Sequence, residues 1–176
     1  ALPIYPQPRR KTVLATLDDK PSGLGFLPDG TLLIATIDHL QLLRLGAAGP
    51  ELVADLRAFC GAGRHLNDMV VDGLGRAYLD GVDDAKREST IVLLEPGAAA
   101  RVAASGLAAP NGLAIGGDGT TLVAADNGAN RWVAFDIAGD GLLTNRRTFA
   151  ELDGFPDGLC LDAEGAAWVG LPFKNE

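Results

Sequence analysis

A strand–turn–strand unit returns along this chain every 44 to 46 residues, and that period limits the available folds more than any other feature. Four copies align: SGLGFLPDGTLLIAT from Ser22, NDMVVDGLGRAYLDG from Asn67, NGLAIGGDGTTLVAAD from Asn111 and DGLCLDAEGAAWVGL from Asp157. Each reads as a polar residue, a short apolar strand, a turn closed by glycine and a second strand. The turn glycines Gly30, Gly75, Gly119 and Gly165 keep step with the leading polar positions. A period near 45 is that of β-propeller blades, well beyond the roughly 33–34 residues of the common helical repeats.

Two further strands follow in each of the first three units. LQLLRL and ELVADL follow the first, TIVLLE and RVAAS the second, RWVAFDI and RTFAEL the third. Gly, Asp, Asn and Pro punctuate these alternating or β-branched runs, so the count is four strands per blade. No segment combines a helical period with caps. The expectation is an all-β partial propeller in one domain, with blades over about 22–56, 67–104, 111–151 and 157–171, or about three and a half blades. The segment 11–17, KTVLATL, resembles the outer strand RTFAEL and is expected to close a ring. Open blade edges would be sites of self-association.

The formal net charge of −8 argues against a nucleic-acid partner and suits the attraction of a cation. The two cysteines, Cys60 and Cys160, lack zinc-ligand spacing, and the apolar run around Cys160 predicts a buried thiol. ALPIYPQPRRKT has no apolar signal core, and no apolar run reaches the length of a membrane span. The expectation is a cytoplasmic protein with no membrane partner.

In a propeller the first strand of each blade lines the central channel. Ser22, Asn67, Asn111 and Asp157 lead those strands, so the repeat predicts that they converge. Their oxygen atoms suit a hard cation such as calcium or magnesium, and a carboxylate beside such an ion can activate water. The alternative is that Asn-Gly and Asp-Gly simply turn the corner from loop to strand. Arg64 and His65, in GAGRHLND, either occupy the channel mouth as loop residues or bind substrate there. Asp72, Asp118 and Asp162 are expected to serve the turns, Trp132 and Trp168 to pack, and Arg146 and Arg147 to be solvated.

RHLNDMVVDGLGRAYLDG is similar to the RxNDxxVDxxGRxYxG stretch of the senescence marker protein/gluconolactonase/luciferin-regenerating enzyme (regucalcin-like) family. The PNG, AFDI…DG…NRR and PDG…LDAEG…W elements follow in that family's order, so the likeness runs over roughly residues 12–170. It implies a six-bladed propeller with one axial divalent metal, often calcium, with zinc, magnesium or manganese as alternatives. It also implies hydrolysis of sugar-acid lactones or similar small-molecule esters. By that resemblance Asn111 and Asp157 are metal ligands, Asp157 is also the general base, and Asn67 contacts substrate. The family's first-strand Glu ligand falls on Ser22. The Arg of RxND sits one residue early, at Arg64, with His65 in its place. Two functions compete: a metal-dependent lactone hydrolase, and a catalytically impaired propeller that binds a ligand or partner.

Overall fold

Short runs of three to nine residues, interrupted by Asp- and Gly-containing turns, form fourteen strands among the described residues. The computed structural model describes residues 12–60, 64–83 and 89–172, and the side chains at 64, 82 and 83 lie outside the described set. The first sheet contains β1 (Pro21–Phe26), β2 (Leu32–Thr36), β3 (Gln41–Gly46) and β4 (Gly49–Asp55). The second contains β5 (Arg64–Val71), β6 (Ala77–Asp83), β7 (Ser89–Leu94) and β8 (Arg101–Leu107). The third contains β9 (Pro110–Ile115), β10 (Thr121–Asp126), β11 (Arg131–Ile137) and β12 (Leu143–Glu151). A two-stranded sheet, β13 (Leu159–Leu161) and β14 (Ala167–Val169), comes last. All pairings are antiparallel between sequence neighbours, so each sheet is a meander. The one helical turn described is a 3-10 turn at Asn127–Ala129. Among the described residues this is a partial β-propeller: three four-stranded blades and the two inner strands of a fourth. Residues 12–17, the described part of the segment expected to close a ring, lie outside any strand.

The turns between the first two strands of each blade are built alike. Asp29, Asp72, Asp118 and Asp162 each accept the backbone N–H two residues on, at 2.9, 2.8, 2.9 and 3.2 Å. The glycine that closes each turn adopts φ of +85°, +79°, +69° and +82° in chain order. A side chain is strained in that left-handed region, which explains why glycine returns with the period. The structural role expected of Asp72, Asp118 and Asp162 is therefore visible in their hydrogen bonds.

Between successive blades lies one apolar layer each. Leu42, Leu56, Leu66 and Leu79 fill the first, Tyr78, Ile91, Leu93 and Leu122 the second, and Val123, Ala125 and Trp132 the third. Each fully buried aliphatic side chain contributes about 1.5–3 kcal/mol. Polar bonds fasten the second blade to the third at the rim. The Tyr78 hydroxyl donates to the Gly141 carbonyl at 3.0 Å, and Arg101 donates to the Asp140 carbonyl.

Two expectations need correction. Trp168 is 64 % exposed, and its indole N–H donates to Asp162 Oδ2 at 2.8 Å. Cys160 is an exposed free thiol, while Cys60 is buried. The reason is shared: side chains alternate across β13 and β14, so Leu159, Ala167 and Val169 face the third blade while Cys160 and Trp168 face away. Arg146 is exposed, as expected of a solvated residue, and is also paired. It reaches across to the second blade, donating to the Gly106 carbonyl at 2.7 Å, and within its own blade donates to buried Asp126 at 3.1 Å. Arg147 is exposed and pairs with Asp136 at 2.7 Å.

Candidate functional site

Every inner strand carries the same irregularity at its start: two residues stand opposite one on the second strand. Ser22 and Gly23 lie between the pairs Pro21–Thr36 and Leu24–Ile34, opposite Ala35. Asn67 and Asp68 lie between Leu66–Gly81 and Met69–Leu79, opposite Asp80. Asn111 and Gly112 lie between Pro110–Asp126 and Leu113–Ala124, opposite Ala125. In the fourth sheet Asp157 donates its N–H to the Gly170 carbonyl at 2.9 Å, and Gly170 donates to the Gly158 carbonyl at 3.0 Å. Such bulges bend a strand and re-aim the side chain at the extra residue. The four polar residues expected to lead the inner strands are thus the first residues of four equivalent bulges.

These bulges touch. A Cβ at Gly23 would lie 2.6 Å from the Met69 nitrogen, and one at Gly112, where φ is +78°, would lie 2.6 Å from the Asp157 carbonyl oxygen. Glycine is needed there for close approach of backbones, in addition to any corner it turns. Bulge therefore meets bulge from the first blade to the second and from the third to the fourth. The second and third blades are joined by Asp68, whose Oδ2 accepts the Leu113 N–H at 3.1 Å. Ser22, Asn67, Asn111 and Asp157 so stand at the same end of four successive inner strands.

All four of these side chains are partly buried. The Ser22 hydroxyl donates to the Ala35 carbonyl at 3.3 Å, which leaves its lone pairs open. The side chains of Asn67, Asn111 and Asp157 form no hydrogen bond among the described residues. His65 lies two positions before the bulge on β5 and is partly buried. Arg64 starts that strand, and its side chain lies outside the described residues.

The donors of Asp157, Asn111 and Ser22 are all oxygens, the type that calcium and magnesium take. They fit a hard divalent cation with one formal negative charge among them. Among the described residues no three His, Cys, Asp or Glu side chains stand close enough to hold an ion. Amide and hydroxyl oxygens would therefore have to complete the shell.

Two carboxylates that the repeat did not single out lie directly beneath this end. Asp80 is fully buried, and its Oδ1 accepts the N–H groups of both Asn67, at 3.0 Å, and Asp68, at 2.7 Å. Its Oδ2 is buried without a hydrogen-bond partner among the described residues. Burial above all, with the Asp68 charge adding to it, pushes the Asp80 carboxyl well above the usual carboxylate range against the pull of the two N–H bonds. A signal for both residues exists in the aligned repeats. The second bulge position reads Gly23, Asp68, Gly112, Gly158, and the facing position reads Ala35, Asp80, Ala125, Gly170. Only the second blade has carboxylates at both. A second buried acid, Asp126, binds Arg131 and Arg146 at 3.1 Å each and the Ala108 N–H at 2.6 Å, so its role is to tie blades together.

Solved structures share this architecture. A gluconolactonase from Xanthomonas campestris is 25 % identical and superposes with a TM-score of 0.74, over 90 % of this chain and 58 % of its own. A calcium-binding protein, regucalcin, from Agrobacterium tumefaciens is 26 % identical, with a TM-score of 0.73 over 91 % of this chain and 56 % of its own. A luciferin-regenerating enzyme, 22 % identical with a TM-score of 0.74, covers 89 % of this chain and 57 % of its own and shares the fold. The chain thus spans rather more than half the length of each. The SMP-30/gluconolactonase/LRE-like region matches residues 5–175. With the blade repeat and that match in agreement, the chain belongs to the SMP-30/gluconolactonase/LRE-like family.

Proposed function

We propose that this chain carries a gluconolactonase-like site that hydrolyses a small-molecule lactone or ester, with Asp157 as the general base. One observation carries the reading: equivalent bulges put three side chains without hydrogen-bond partners, Asn67, Asn111 and Asp157, at one end of neighbouring inner strands. Partly buried groups with no partner inside the protein are open to water or a ligand, and three of them at one end of neighbouring strands suit a ligand. Family membership supplies the reaction class.

Asp157, Asn111 and Ser22 would hold a divalent cation, calcium being the one the family likeness suggests, and it would supply positive charge for the substrate carbonyl. The Asp157 carboxylate takes a proton from water as the water oxygen attacks that carbonyl; the acyl C–O bond of the lactone or ester then breaks, and the leaving oxygen takes the proton back from Asp157. The Asn67 carboxamide, able to donate and accept, orients the substrate. His65 and Arg64 serve the mouth of the site. Charge repels nucleic acid from this chain, and no described helix is long and apolar enough to cross a membrane. Family membership suggests a small-molecule partner.

Ser22 favours a second reading, a module that binds without turnover. Its hydroxyl brings no charge to the ion and already donates to Ala35. One experiment separates the two. The chain and its Asp157→Ala variant are assayed against a panel of aldonolactones, with melting temperature followed during a calcium titration. The hydrolase reading expects turnover that falls by about 10²–10⁴-fold in the variant, as for loss of a general base. Undiminished turnover in Asp157→Ala would remove the assignment. A calcium-dependent melting shift without turnover, lost in the variant, would favour the binding module.

A further inference from the structure

The second blade departs from its neighbours at two facing positions. Where the others place glycine and then alanine or glycine, it places Asp68 and Asp80. The first and third blades form the same bulge without a carboxylate, so making a bulge does not require one. A buried acid with an unsatisfied oxygen also costs stability. Such a cost at one blade of four calls for a local return.

The hydrogen bonds show what that return is. Asp80 Oδ1 accepts two consecutive N–H groups, which fixes the peptide planes on either side of the Asn67 Cα. Asp68, held by one of those bonds, accepts the N–H of Met69 at 2.8 Å through Oδ1 and that of Leu113 at 3.1 Å through Oδ2. Leu113 lies two residues past Asn111 on the next inner strand, and Gly112 between them abuts the Asp157 backbone. A continuous chain of contacts therefore runs from Asp80 through Asn67 and Asp68 to the strand of Asn111 and on to Asp157.

We propose that Asp80 is a positioning residue of the site, holding the Asn67–Asp68 bulge as a hydrogen-bond acceptor and, through Asp68, setting Asn67 in register with Asn111. Its part in hydrolysis rests on the lactonase reading above; its part in the geometry does not. The role needs an acceptor oxygen at Oδ1 and needs no charge, because both partners are backbone N–H groups. Asparagine supplies that oxygen in nearly the same shape, and alanine removes it.

The test uses the whole chain as Asp80→Asn and Asp80→Ala, with two readouts. The first is kcat/KM on the lactone that the wild-type chain hydrolyses best. The second is hydrogen-exchange protection of the Asn67 and Asp68 amides, with Leu113 as the relay. Asp80→Asn is expected to keep both within about threefold of wild type. Asp80→Ala is expected to lose kcat/KM by about 10–10²-fold, the scale of a misplacement near 1 Å, mostly in kcat. It should also lose protection at Asn67 and Asp68 while amides in the core strands β7 and β11 stay protected. Wild-type protection and kcat/KM in Asp80→Ala would overturn the proposal. Equal loss in Asp80→Asn and Asp80→Ala would overturn the acceptor role in favour of charge. If the wild-type chain hydrolyses no lactone, the functional reading fails, and the amide protection alone decides whether Asp80 positions the bulge.

Discussion

The second and fourth blades run the same repeat with opposite fates for their side chains. In the second blade both faces are covered, so Tyr78, Leu79, Leu93 and Leu107 are completely inaccessible. In the fourth, the face toward Val123 and Trp132 is packed, while Trp168 on the other face is 64 % exposed. The first blade repeats the pattern at the other end of the arc: Gly23 and Gly25 lie against the second blade, and Leu24 and Phe26 are 55 % and 66 % exposed. Strand alternation thus sorts side chains into two sets, but a neighbouring sheet is what makes a set into core. Apolar identity alone does not bury a residue.

The sharpest way to break that contrast is a pair of truncations. Leu93→Ala removes a fully buried side chain between the second and third blades and should cost about 2.7–5 kcal/mol. Trp168→Ala should cost under about 1 kcal/mol despite the larger side chain, because most of it faces solvent and little cavity results. Chemical denaturation of both variants measures the gap, and equal losses would refute the two-set picture.

A second way acts on the rim between the same two blades. Asp126→Ala leaves Arg131 and Arg146 without their shared partner and also deprives the Ala108 N–H. Breaking a buried pair costs about 3–5 kcal/mol, and the one-third exposure of both arginines sets the expectation nearer 2. Arg147→Ala is the control: its pair with Asp136 is exposed on both sides, so its loss should stay within about 0.5 kcal/mol.

The smallest effect is spectroscopic. Burial pushes the Tyr78 phenol up to about 12, and its hydroxyl donates to Gly141 across the interface. Raised above the unfolded value, this group's contribution is fully present below pH 10 and is lost as pH rises through about 12. An ultraviolet titration should show a tyrosinate step near 12 that disappears in Tyr78→Phe. A Tyr78 step near pH 10 in the folded chain would show that the second blade is less sealed than described.

The polar inner-strand positions were legible because the repeat aligns them. Asn67, Asn111 and Asp157 lead their strands in the sequence and occupy equivalent bulges in the fold. The bulges themselves were not legible. A strand with two residues opposite one has the same composition as a regular strand, and only the register of its partner reveals it. Asp80 was hidden for a related reason: it sits in an apolar run as one more polar residue, and what distinguishes it is the pair of N–H groups it faces. Trp168 was misread because a strand tryptophan suggests a packed side chain; Arg146 is exposed as expected, but its bond to Asp126, 20 residues away, was not legible.

The amino-acid order by itself determined the blade period, the strand count of each unit and the turn glycines, because all three depend on interactions within a few residues. It also determined which polar residues lead the inner strands, since equal spacing puts equivalent residues in equivalent places. Only the tertiary structure decided which apolar faces become core, which carboxylates are buried and which strands press bulge against bulge. Those outcomes depend on what lies on the far side of each sheet, and that neighbour is set by packing between blades some 45 residues apart.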